Sequence, residues 1–255
     1  MEGIFDTHAH LDDPAFDGDR EELLAALHAN GVALILDPGC DAASSRRAQA
    51  IAAEHDFVYF AAGLHPEELK SLTEDTLSEV RILASDAKCR AIGEIGLDYY
   101  WDASQKELQK EIFDQQLKLA EELGKPVIVH DREAHGDSLE IVRRHPEARG
   151  VFHCFSGSRE MAEELLRRGW YLGFDGPITY KNARRALEVL AIVPLERMLI
   201  ETDSPYLSPV PMRGKRNDPG NLRYVLEKIA EVRGESAEEL ARITRENGKR
   251  VFDIA

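Results

Sequence analysis

Residues 89–132 read CRAIGEIGLDYYWDASQKELQKEIFDQQLKLAEELGKPVIVHDR, and their pattern decides the fold. A short apolar run leads to two acids, Glu94 and Asp98. A helix-patterned segment follows, with Leu108, Ile112, Leu119 and Leu123 on one face. Ser104 and Glu107 stand at capping-box spacing before it, and Gly124 and Pro126 stop it. A second apolar run then ends in His130. The unit is strand, loop, helix, strand, with polar residues at the C-terminal ends of both strands.

The same grammar extends in both directions. Strand-like runs recur as GIFDTHAHL, ALILDPG, VYFAAGLHP, GVFHCFSG, YLGFDGPI and MLIETDSP, which with the two above make eight. Amphipathic helical segments separate them, and two helices close the chain, the last opened by a capping box from Ser236 to Glu239. No repeat, linker or low-complexity tract interrupts residues 1–255, so a single domain is expected. Eight alternating units predict an α/β fold of the closed (β/α)8 TIM-barrel type rather than an open sheet. The polar residues favour closure: His8 and His10, Asp37, His65, Glu94 and Asp98, His130, His153, Asp175 and Asp203 all stand at strand C-termini. A barrel gathers those ends into one mouth, whereas an open sheet spreads them apart.

Composition narrows the function. With 255 residues, 43% of them hydrophobic, the chain can bury a sizeable core. A net charge of -15 argues against coating nucleic acid through bulk electrostatics, so any phosphate contact must be local. Cys40, Cys89 and Cys154 are too few for a disulfide framework and are expected to be reduced. No run suits a membrane span or a leader, and a cytoplasmic protein is expected.

In a strand, residues two apart share a face, so His8 and His10 can reach one metal ion with Asp6 below them. Alone, such a pair could equally be satisfied core or surface histidines. GEIGLDYY, VIVHD, VFHCF and IETDSP change that reading, because each brings a histidine or carboxylate to the same mouth. Imidazoles with carboxylates form nitrogen and oxygen sites suited to Zn or Mn, while Mg prefers oxygen. Six ligands exceed the four of a single zinc site. Two divalent ions, bridged by a carboxylate and holding a hydroxide between them, are therefore expected.

DTHAHLD, GLHP, GEIGLDYY, KPVIVHDREA, HCFSG, ETDSPYLSPVPMRGKRNDP and TRENGKRVF together resemble the TatD-family DNases, a branch of the metal-dependent amidohydrolase barrels, across essentially the whole chain. The resemblance implies that His8, His10 and Asp203 hold one metal, that His130 and His153 hold the other, and that Glu94 bridges them. It makes Asp203 either the group that orients or deprotonates the attacking water or a ligand only. His65 becomes a phosphate contact or an acid for the leaving oxygen, or else a histidine fixed by hydrogen bonds beside the metals. Asp98 and Glu201 are read as supports for the ligands, and Asp37 and Asp175 as weaker candidates that form turns.

For the substrate, Arg213, Lys215 and Arg216 lie in a loop after the last strand, where barrels bind phosphate. Lys181 extends that basic rim, and Tyr99, Tyr100 and Trp101 are placed either to stack on a base or to pack beneath loops. The expected function is metal-dependent hydrolysis of DNA, as an exonuclease on single strands or ends, by a monomer. A hydrolase of acyl bonds such as D-aminoacyl-tRNA deacylase, and a noncatalytic metal-binding module, are the alternatives.

Overall fold

In a computed structural model describing residues 1–255, the apolar runs form β1 (Ile4–Asp6), β2 (Val32–Pro38), β3 (Val58–Ala62), β4 (Cys89–Asp98), β5 (Val127–Arg132), β6 (Gly150–Phe152), β7 (Tyr171–Phe174) and β8 (Met198–Ile200). They pair in parallel, in chain order, as one eight-stranded sheet. The helices are α1 (Arg20–Ala29), α2 (Ala42–Glu54), α3 (Thr76–Ala84), α4 (Lys106–Leu123), α5 (His135–Arg144), α6 (Arg159–Arg167), α7 (Arg184–Leu190), α8 (Leu222–Arg233) and α9 (Ala237–Val251). This is the expected (β/α)8 barrel. None of its helices is long and apolar enough to cross a membrane.

The barrel closes beyond its strands. Thr7 donates its N–H to the Ile200 carbonyl at 3.2 Å, Asp203 to that of His8 at 2.9 Å, and His10 to that of Ser204 at 2.8 Å. The seam between the first and last strands is thus stitched by irregular backbone. Its residues are the ones that carry the site.

Alternation along the strands divides the apolar residues into two cores. Phe5, Leu36, Ala61, Ala91, Ile128, Val151, Tyr171 and Leu199, one from each strand, fill the barrel interior, and Val251, Phe252 and Ile254 plug its floor from the end of α9. The outer core of 49 buried residues lies between strands and helices. Each large side chain buried in this way contributes about 1.5–3 kcal/mol. The floor is sealed, so only the C-terminal mouth is free for chemistry.

Three local expectations are corrected. The Ser104–Glu107 capping box does not form. Asp102 accepts the Ser104 N–H at 2.8 Å and its Oγ–H at 2.5 Å, which holds Ser104 in a 3-10 turn and leaves α4 to begin at Lys106 with no side-chain cap. Strand β1 stops at Asp6, so His8 and His10 lie beyond it rather than within it. At the other capping box, Ser236 accepts the Glu239 N–H at 3.1 Å, but the Glu239 carboxylate turns to Arg242.

Candidate functional site

Glu94 stands at the centre of the mouth, inside β4 and 2% exposed. Its two oxygens face different partners. Oε2 lies 3.2 Å from His8 Nε2 and 3.5 Å from His10 Nε2. Oε1 lies 2.9 Å from His130 Nδ1 and 2.8 Å from His153 Nε2. Asp203 Oδ1 joins the first group, 3.6 Å from His8 Nε2 and 3.5 Å from His10 Nε2. The six residues singled out as ligands therefore converge, and they sort into two groups sharing one carboxylate.

Neighbouring groups set the imidazole tautomers. His10 Nδ1 meets the Pro38 carbonyl at 3.1 Å, an acceptor only, so Nδ1 carries the hydrogen and the Nε2 lone pair faces the site. His130 Nε2 meets Asp98 Oδ2 at 2.9 Å, which likewise turns the Nδ1 lone pair toward Glu94. Neutral lone pairs aimed at carboxylate oxygens repel unless positive charge lies between them. Protons or metal ions supply that charge, so this donor set fits divalent cations.

The site's own field has the same character. Burial opposes ionisation of Glu94, but His153, His65 and His8 outweigh it and hold the carboxyl well below its usual range. Burial works against protonating His153 as well, and Glu94 and Glu201 overcome it, raising that imidazole well above its usual value. His130 is pushed up to about 9, since hydrogen bonds to Asp98 and Glu94 override its burial.

His65 caps the turn after β3, and its Nδ1 accepts the Glu67 N–H at 3.2 Å. The ring hydrogen is thereby on Nε2, which points at Glu94 Oε1 from 3.4 Å. Asp6 faces the seam, accepting the His8 N–H at 3.2 Å, the Thr202 N–H at 3.0 Å and the Thr202 hydroxyl at 2.6 Å. Glu201 sits 3.6 Å from His153 Nδ1 and accepts the Cys154 N–H. A side chain at Gly173 would enter that carboxylate, since its Cβ would lie 2.5 Å from either oxygen. Asp37 lies buried within β2, and Asp175, also buried, opens the 3-10 turn after β7, its carbonyl accepting the Ile178 N–H at 3.2 Å.

The residues expected to meet substrate are less uniform. Arg213 lies over the Tyr180 ring at 4.2 Å. Arg216 is engaged by Asp19 through two contacts of 2.7 and 2.6 Å, which occupy its guanidinium fork. Tyr99 donates its hydroxyl to Asp137 at 2.6 Å beneath Lys106. Lys181 and Lys215 are exposed. A cavity of about 630 Å³, lined by Cys154, Phe174, Asp175, Ile178, Tyr180 and Arg185, opens beside His153.

Sequence reading missed two supports on α4. Gln109 brackets the Asp98 backbone, with Oε1 accepting its N–H and Nε2 donating to its carbonyl, both at 2.9 Å. Gln116 does the same for Leu64, next to His65, at 2.8 and 3.0 Å. Both glutamines lie on the buried face of the helix among Ile112, Phe113 and Leu117. That position, seven residues apart on an apolar face, was the available signal.

A sequence model described as TatD related DNase matches residues 5–253. The chain belongs to the TatD family. It is a metal-dependent hydrolase of that family. YabD of Bacillus subtilis (strain 168), named an uncharacterized metal-dependent hydrolase, is 44% identical over 98% of this chain and 99% of its own. A TatD relative from Cronobacter sakazakii, named a 3'-5' ssDNA/RNA exonuclease, is 35% identical over 98% of this chain and 97% of its own. The crystal structure of YjjV, a TatD homolog from Escherichia coli K12, is 35% identical and superposes with a TM-score of 0.93 over 99% of this chain and 98% of that one.

Proposed function

We propose that residues 1–255 act as one hydrolase domain, monomeric, that removes nucleotides from the ends of single-stranded DNA. The observation that carries this reading is Glu94, whose two oxygens each face a separate group of imidazoles. Two divalent ions suit that arrangement: His8, His10 and Asp203 would hold one, His130 and His153 the other, and Glu94 would bridge them. When bound, such ions stabilise charge on the phosphoryl oxygens and acidify water.

The chain's own groups complete the chemistry. Asp203 is the carboxylate on the open side of the site, its side chain 14% exposed against 3% for Glu94, and it is placed to orient water and take its proton. His65, with its hydrogen on Nε2, is a donor rather than a ligand, suited to a phosphate oxygen or the leaving oxygen. Arg213, Lys215 and Lys181 form a basic rim for phosphates. An acidic protein with such a rim should favour a strand end over a long duplex. The naming of the Cronobacter relative as a single-strand exonuclease supports the substrate class and extends it to RNA.

The test is degradation of 3′- and 5′-labelled single-stranded DNA and RNA by chelator-stripped protein refilled separately with Mg, Mn or Zn. Stepwise shortening from one end, dependent on metal and abolished in Glu94→Ala, is the expected result. No cleavage with any ion, alongside hydrolysis of D-aminoacyl-tRNA, would replace this reading with an acyl hydrolase. Metal binding without either reaction would leave a binding module.

A further inference from the structure

The turn after β4 exposes two large aromatic residues at the edge of the mouth. Tyr100 is 57% and Trp101 62% exposed, and their rings meet edge to face with centroids 4.9 Å apart. Soluble proteins seldom leave a tryptophan and a tyrosine side by side in water without a use for them. Arg132 lies over both rings, at 4.0 Å from the Tyr100 centroid and 5.5 Å from that of Trp101. In a protein of net charge -15, this exposed arginine pairs with no carboxylate.

The turn is coupled to the metal-facing groups through a single side chain. Asp98 Oδ1 accepts the backbone N–H of Tyr100 at 2.8 Å and of Trp101 at 2.9 Å, while its Oδ2 holds His130 Nε2 at 2.9 Å. Arg132 is registered opposite Asp98 across the β4–β5 ladder and follows His130 by two residues, so it leaves the strand on the same side. Whatever rests on the aromatic turn is therefore held at a set distance from the ligand group around Glu94.

We propose that Tyr100, Trp101 and Arg132 form a stacking platform for one unpaired nucleobase of the strand being degraded, with Arg132 taking the adjoining phosphate. The inference rests on the nuclease reading above and names its binding subsite. An aromatic face accepts any base, so the platform is tolerant of sequence. It also demands that the base be splayed out of a helix, which selects single strands over duplex. The guanidinium suits the occupant on two counts, as a planar cation on an aromatic face and as a fork for phosphate.

The closing experiment compares wild type, Trp101→Ala and Trp101→Phe on a labelled single-stranded oligonucleotide and on a strand of the same length whose terminal nucleotides are abasic. Trp101→Ala should lower kcat/KM on the base-bearing strand roughly tenfold more than on the abasic strand, mainly through KM, with Trp101→Phe restoring most of the difference. Tryptophan fluorescence of chelator-stripped wild type should be quenched by the base-bearing oligonucleotide. The other tryptophan, Trp170, is buried against Phe152 and provides the constant background. Equal losses on both strands would assign Trp101 to holding the Asp98 turn and overturn the platform, as would cleavage without quenching. Failure of wild type to cleave any oligonucleotide would instead sink the nuclease reading, and the platform with it.

Discussion

The two halves of the site use the same kinds of donor on very different supports. His8, His10 and Asp203 lie on irregular backbone past β1 and β8, strands of three residues each. Glu94, Asp98 and His130 lie inside β4 and β5, strands of ten and six residues, and only His153 of that half stands past a short strand, β6. The β4–β5 ladder shifts register between Ile92 and Ile95, around Glu94, but beyond that point it pairs Gly96 with His130 and Asp98 with Arg132 and aims His130 and Asp98 by its pleat. The seam has no such ladder, so buried polar side chains do that work: Asp6 binds Thr202, and Asn217 donates to the Thr202 carbonyl at 2.9 Å and to that of Tyr206 at 2.7 Å. Even the backbone reflects this, with Asp203 at φ 55, a conformation uncommon outside glycine and concentrated at functional sites. Donors proposed to hold a metal must be fixed, and fixity has two separate origins here.

The contrast is open to test, beginning with the largest effect. Asp203→Asn keeps the shape of the seam but removes the proton acceptor, so kcat should fall by about 10²–10⁴-fold with little change in Tm. A loss below tenfold would reduce Asp203 to a ligand. On the ladder side, Asp98→Asn weakens the acceptor for His130 Nε2–H while leaving the strands in place, and roughly 10–100-fold should be lost in metal affinity or activity. Calorimetric metal titration of both variants measures the difference directly.

Stability should separate the halves as well. Asp6→Ala orphans the His8 and Thr202 N–H groups at the seam and leaves the Thr202 hydroxyl only Ser204 Oγ, for a loss of about 2–4 kcal/mol. Gln109→Ala frees the Asp98 N–H and carbonyl, but the ladder still holds β4, so about 1–2 kcal/mol is expected. Urea unfolding of the pair decides the matter, and a larger loss from Gln109→Ala would reverse the comparison. The outer ring supplies the control. Arg143 and Arg168 hold Glu164 down to about 2 against a modest opposing effect of burial. Its folded value is depressed, so its stabilisation is present above the ordinary value of 4.5 and is lost as pH falls through about 2. Because the group is near the surface, Glu164→Gln should cost below about 1 kcal/mol at pH 7 and leave turnover unchanged.

Much of this was legible beforehand because it repeats. Eight apolar runs with a histidine or acid at their ends imply a barrel mouth full of ligands, and Glu94, His130 and His153 needed only that periodicity to be placed. The glutamines of α4 left only a faint signal, their place on the apolar face, because a polar residue on a helix ordinarily faces water, and packing is what shows that Gln109 and Gln116 turn inward to the strand ends. Arg216 shows a partner that spacing does not reveal. Its position in the loop after β8 suited phosphate, yet Asp19, almost two hundred residues earlier, engages its guanidinium.

The amino-acid sequence alone determined the alternation of strands and helices, the barrel and the identity of the candidate ligands. Those depend on local periodicity, on side-chain chemistry and on a topology that gathers all parallel strand ends at one face. Tertiary structure alone decided which Glu94 oxygen faces which histidines, which nitrogen of His10, His65 and His130 carries its hydrogen, and that Asp98 ties His130 to the Tyr100–Trp101 turn. These are distances between groups brought together from separate strands, and hydrogen-bond geometry changes over tenths of an ångström that no spacing along the chain encodes.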